Sequence, residues 1–172
     1  NRKDDSFSLY IKVVDHAVVK SEPGRPTIDL TDQEKQYFYK TFGEISDEMS
    51  VENIVPQWAE TDQNELTDVG MYGQEIKSLK KVCPFPFMYL HVNSDGTVAG
   101  CTLDWARKVL VGDKAKKDLY EIWNGPGMKE LRLGMLRGER DKIPMCDTCN
   151  APNVCVIDNL DPHMNELIKK FS

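Results

Sequence analysis

The chain has 172 residues, enough for about one ordinary domain or one plus a fragment. Forty per cent of it is apolar and 29% is charged, so it can bury a modest core, and it is no disordered or collagen-like chain. The net charge of −6 comes with no basic stripe, which argues against a nucleic-acid partner, and no apolar run approaches the ~20 residues that cross a bilayer.

In chain order, "FSLYIKVV" at 7–14 reads as a buried strand ending near Asp15-His16. "KSEPGRPTIDL" is a loop by its prolines and glycine. Thr31 with Glu34 forms a capping-box signature, and Tyr37, Phe38, Phe42 and Ile45 follow at helical spacing, with a break at Gly43. "VENIVPQW" at 51–58 reads as a second strand closing at Pro56. Strand, helix, strand is a parallel β/α fragment too small to stand as a domain. The polar stretch 59–80 reads as a linker.

A hairpin is expected over 84–103, with Phe85, Phe87 and Tyr89 in its first strand and a turn at Asn93-Ser94-Asp95-Gly96. A loop through Gly112 follows. Lys114, Lys116 and Lys117 in it are flanked by Asp113 and Asp118, which makes a solvated loop rather than an anion site. Short helices are expected around 119–123 and 128–136, split by Gly125-Pro126-Gly127. A knuckle-like loop at 146–155 and an amphipathic helix in "PHMNELIKKF" close the chain.

Five cysteines with no secretion signal point to a reducing compartment, the cytoplasm by default, where such spacing speaks for metal binding or catalysis. Cys146-Asp-Thr-Cys149 is the spacing by which one knuckle aims two thiolates at a metal. Cys83 and Cys101 flank the hairpin, so its strand ends bring them together as a second pair. Four such thiols suit either zinc or an iron–sulfur cluster, and zinc would make the chain a non-catalytic interaction module. A thiol redox protein working through Cys146 and Cys149 is a third reading, which the lack of a thioredoxin-like context disfavours.

Cys83, then Gly96 followed by four residues and Cys101, then Cx2Cx5C at 146, 149 and 155, resembles the SPASM/twitch module of radical S-adenosylmethionine enzymes. "VNSDGTVAGC", "VGD", "LYEIWNGPGMKELR" and "IPMCDTC" carry the likeness across about residues 81–156. Residues 7–58 are similar, less closely, to the last strand–helix–strand of those enzymes' partial barrel. The resemblance implies an α+β chain in which the terminal β/α piece of a partial TIM-type barrel precedes a small hairpin-plus-helices iron–sulfur domain. The boundaries expected are 1–65 for the barrel piece, 66–82 for a linker, 83–160 for the auxiliary domain and 161–172 for a last helix.

It further implies one auxiliary [4Fe–4S] cluster on Cys83, Cys101, Cys146 and Cys149, with zinc as a possible substitute. A two-cluster module would need a cysteine where Asn159 stands, so Cys155 is a spare thiol or a substitute ligand. The family's CxxxCxxC loop, which holds S-adenosylmethionine and a second [4Fe–4S] cluster, does not occur in this sequence, so the chain alone is not expected to catalyse. With Asn1 at the start and a strand-like run from Ser6, it reads as a piece of a longer oxidoreductase. Implied partners are a reductant protein and a peptide or small-molecule substrate, with neither nucleic acid nor membrane.

Asp15, His16 and Asp104 are candidate catalytic residues. The first two, like Gln57 and Trp58, end a strand of the β/α piece, where barrel active sites open. Arg107 and Lys108 share the loop of Asp104. Trp105 and Trp123 read as core, and His91 as a packed or half-exposed strand residue.

Overall fold

The computed structural model describes residues 7–17, 28–55, 57 and 68–172, and of His16 and Ala17 only the backbone. Two compact units divide the chain, Asn1–Lys77 and Ser78–Ser172.

In the first unit, β1 (Tyr10–Val14) enters a short antiparallel pair, β2 (His16–Ala17) with β3 (Ile28–Asp29). Helix α1 (Asp32–Phe42) follows, and then β4 (Glu48–Glu52). β1 and β4 run parallel in register from Tyr10↔Glu48 to Val14↔Glu52. Parallel strands need a crossover, and α1 supplies it. Its start is the expected capping box: Thr31 N–H donates to Glu34 Oε2 at 2.8 Å while Glu34 N–H donates to Thr31 Oγ1 at 3.3 Å. Among the described residues the sheet is two strands and no closed barrel forms.

Three expectations need correction here. The first strand is not buried: Phe7, Leu9 and Tyr10 are exposed, because a two-stranded sheet lacks the layers that cover a parallel sheet on both faces. For the same reason Tyr37 and Ile45 lie open, and Phe38 is the buried side chain of α1. The second strand begins and ends earlier than 51–58; Pro56, Trp58 and residues 59–67 lie outside the described residues. Residues 68–76 are not a plain linker. Gly70 N–H donates to Gln74 O and Ile76 N–H to Asp68 O, and Asn53 N–H donates to Met71 O, each at 2.8 Å, so this turn is fastened to the end of β4.

The second unit opens with α2 (Phe85–Met88), a single turn where the first hairpin strand was expected. The alternating aromatics mimic a strand, but Pro84 and Pro86 cannot donate to a ladder and fit the first turn of a helix. The hairpin is correspondingly short: β5 (His91–Val92) and β6 (Thr97–Ala99), with Gly96 at φ +88° in the turn. The loop through Gly112 contains β7 (Leu110–Asp113), which pairs antiparallel with β6 across a bulge at Val98/Ala99 and completes a three-stranded sheet.

Helices α3 (Leu119–Trp123) and α4 (Pro126–Leu136) lie where composition placed them. Gly127 lets α4 press on β7, since a Cβ there would sit 2.8 Å from the Val111 carbonyl oxygen. The run 131–136 is wholly buried, making α4 the spine of the unit. Its Arg132, 3% exposed, lies over Trp123 with its guanidinium carbon 4.0 Å from the ring centroid. Helix α5 (Ala151–Val154) follows the knuckle, and α6 (Met164–Phe171) packs on α4. Trp105 is exposed rather than core, and His91 is half-buried as expected. No described helix is long and apolar enough to cross a membrane.

Candidate metal centre

The arm that carries Cys83 is held from behind. Lys80 N–H donates to Asn153 Oδ1 at 2.8 Å, and the Asp161 carboxylate accepts from Lys81 N–H at 3.0 Å and Val82 N–H at 2.9 Å. Val82 is fully buried, so the strap at 80–82 enters the core immediately before the cysteine. Beyond Cys83, the Pro86 carbonyl accepts from Arg132 Nε at 2.9 Å, which fixes the turn of α2. Cys101 stands two residues past β6. Its loop is closed by Asp104, whose carboxylate accepts from Lys108 N–H at 2.9 Å and Val109 N–H at 2.7 Å.

The knuckle has its own clamp. Cys146 N–H donates to Ile143 O at 3.0 Å, after Met145 at φ +69°, a left-handed conformation uncommon for such a residue. Arg140 then reaches across, its Nε donating to the Cys146 carbonyl at 2.8 Å and its Nη2 to the Cys149 carbonyl.

All four thiols are at most 8% exposed. Burial pushes each one up: Cys101 to about 11, Cys146 to about 12, and Cys83 and Cys149 also above the ordinary thiol range. Negative charge on Cys101, Cys149 and Cys146 raises Cys83 further, so the four lie within electrostatic range of one another. Backbone amides oppose the shift. Leu103 N–H donates to the Cys101 sulfur at 3.4 Å, and the Phe85 and Ala151 amides hold Cys83 and Cys149 lower than burial alone would. Each amide stands two residues after its cysteine, an arrangement that stabilises thiolate without supplying a proton.

Four such thiolates cannot coexist in this dry space by themselves. A polynuclear cation at their centre reverses the balance, so the donor set fits an iron–sulfur cluster. Among the described residues, no three His, Cys, Asp or Glu side chains converge closely enough to hold a single metal ion.

The other expected residues fall elsewhere. Cys155 is buried at the end of α5 and belongs to no disulfide. Asp15 forms an ion pair with Lys35 at 2.8 Å, and the side chain of His16, like Trp58, lies outside the described residues. Asp104 is 1% exposed, and both its carboxylate oxygens are engaged with the backbone. Arg107, at φ +55°, pairs with Asp95, and Lys108 is exposed.

A pocket of about 250 Å³ lies at the carboxyl ends of β1 and β4. Lys12, Glu52, Asn53 and Gln57 help line it. Glu52 is 8% exposed and accepts from Tyr10 Oη at 2.7 Å and Lys12 Nζ at 3.1 Å. Burial pushes its carboxyl up, but these bonds outweigh that and hold it below the usual range. The signal available was Tyr10 and Lys12 at period two, on one face of β1.

Residues 83–150 match the family model SPASM, iron-sulfur cluster-binding domain. The match begins at the first of the four buried cysteines and ends one residue after the last. Over this stretch the chain is similar to iron–sulfur cluster-binding domains. Neither the curated proteins nor the solved structures contain a match to the chain.

Proposed function

We propose that Cys83, Cys101, Cys146 and Cys149 hold one [4Fe–4S] cluster, and that the chain is the C-terminal portion of a radical S-adenosylmethionine enzyme. The observation that carries this is four buried thiols within electrostatic range of one another, in a stretch that matches an iron–sulfur cluster-binding family model. When bound, the cluster supplies a one-electron acceptor for a substrate radical, or a surface that positions the substrate. The residues do the rest. Val82, Val98 and Met128, all fully buried, keep water from the surrounding core, and the strap, the Asp104 loop and the Arg140 clamp hold three arms in place. Ligation by four thiolates leaves no open iron, which favours electron transfer.

In the parent enzyme, S-adenosylmethionine and a second [4Fe–4S] cluster would sit on the barrel whose last strands are β1 and β4. A reductant protein and a peptide or small-molecule substrate would be its partners, and the cytoplasm its reducing home.

Anaerobic reconstitution of the chain is expected to give a brown protein with about four iron and four sulfide. One zinc or iron per chain without sulfide, after the same treatment, would make the site a mononuclear structural one. In the full-length enzyme, Cys146→Ala is expected to leave deoxyadenosine formation measurable while ending turnover to product. Normal turnover by that variant would reduce the auxiliary site to a structural role.

A further inference from the structure

From the geometry of the knuckle we infer that Arg140 is a positioning residue of the cluster site. It locks Cys146 and Cys149 through their carbonyls and sets a fixed positive charge beside their thiolates. The inference rests on the reading that these cysteines hold an iron–sulfur cluster.

The clamp is a matter of shape. Arg140 begins a 3-10 turn, Arg140–Lys142, whose hydrogen bonds run on into the knuckle: Ile143 N–H donates to Arg140 O at 3.1 Å and Cys146 N–H to Ile143 O at 3.0 Å. From there its guanidinium spans both ends of the CxxC segment, Nε on the Cys146 carbonyl and Nη2 on the Cys149 carbonyl. A planar fork with donors on two nitrogens holds two separated carbonyls in a fixed geometry. A lysine ammonium in its place keeps the charge and loses the fork.

The charge matters separately. Among the described residues no carboxylate forms an ion pair with Arg140. Asp141 and Asp147 share with it the lining of an open pocket of about 410 Å³, along with Lys80 and Lys81. The guanidinium therefore stands, unpaired by any of those carboxylates, against the backbone of both Cys146 and Cys149. Each electron entering the cluster adds one negative charge to the same region. A fixed cation there stabilises the reduced form, and in a partly solvated interior one such charge is worth about tenfold in the reduction equilibrium.

The test uses the anaerobically reconstituted chain as wild type, Arg140→Met and Arg140→Lys. Midpoint potentials are read by spectroelectrochemical titration, and cluster half-lives are read under an iron chelator. Arg140→Met is expected to be about tenfold harder to reduce, a negative shift of ~59 mV for one electron, and to lose its cluster faster. Arg140→Lys is expected to recover the potential but not the half-life. Wild-type potential in Arg140→Met overturns the charge role, and wild-type half-life in Arg140→Lys overturns the clamp. Should Arg140→Met not fold, the lysine variant alone decides, because unchanged retention there refutes the fork. A wild-type chain that takes up no iron and sulfide overturns the cluster reading itself, and is told apart by failing before any variant is compared.

Discussion

Alanine at Cys83, Cys101, Cys146 or Cys149 is expected to abolish the iron–sulfur cluster or shorten its life to minutes, whereas Cys155→Ala keeps the wild-type spectrum. The four positions are not equivalent in sequence, but they are equivalent in what they join. Cys83 follows the strap at 80–82, Cys101 stands two residues past β6, and Cys146 and Cys149 are the two ends of the knuckle. Removing one thiolate leaves an iron without its ligand in a space that three other thiolates already make costly. As packing, the change removes one sulfur atom, a loss of about 1 kcal/mol. As ligation it reaches further. In small metallo-domains the metal's binding energy is folding energy, of order 10 kcal/mol for a structural zinc, comparable to the whole stability of a domain. Ligation therefore dominates, and the effect spreads. Amide exchange should quicken at residues 80–84, 100–109 and 143–151 in the four ligand variants. Iron and sulfide content, absorption and exchange rates together check it. A cluster retained in Cys149→Ala and lost in Cys155→Ala would replace one ligand by the other.

Much of this site is written locally. The CxxC spacing, the cysteine after the Asn93–Gly96 turn and the capping box at Thr31 and Glu34 each depend on residues a few positions apart, and local geometry follows from local chemistry. Helices α3 and α4 were legible for the same reason: Gly125 and Pro126 separate them, and Leu131, Met135 and Leu136 mark the buried face of the second. What the sequence concealed depends on distant partners. Strand β7 exists because β6 offers it an edge, and "LVGD" alone has no alternation to reveal it. The carboxylate that holds the Cys83 strap belongs to Asp161, some eighty residues on. Phe85, Phe87 and Tyr89 carried a period-two pattern that two prolines overrode, so backbone chemistry won over side-chain patterning. In the first unit the parallel pairing of β1 and β4 was legible, but their burial was not, because burial belongs to layers rather than to strands.

Asp104→Ala is expected to lower stability by about 2–3 kcal/mol and to loosen the cluster, while Asp104→Asn keeps the fold and makes the cluster easier to reduce. As a polar residue just past a ligand cysteine, Asp104 looks like a catalytic acid in the sequence. Its surroundings say otherwise. The side chain is 1% exposed, both carboxylate oxygens accept backbone N–H groups, and its own N–H donates to the Cys101 carbonyl at 3.3 Å. Alanine would strand the amides of Lys108 and Val109 without acceptors, and leaving buried donors unpaired costs about 1–3 kcal/mol. The Gly100 N–H to Val109 O bond, at 3.1 Å, ties that loop to the residue before Cys101, so slackness passes straight to the ligand. Asparagine retains one acceptor oxygen and the size of the group, but removes a negative charge that now raises the Cys101 and Cys146 thiols. Losing that charge makes an added electron less costly, so the potential moves positive, opposite to the shift expected for Arg140→Met. Denaturant midpoints under nitrogen and spectroelectrochemical titration measure the two effects. If Asp104→Asn instead left stability and potential at wild-type values while ending turnover in the full-length enzyme, the carboxylate would be working on substrate and its structural assignment would be wrong.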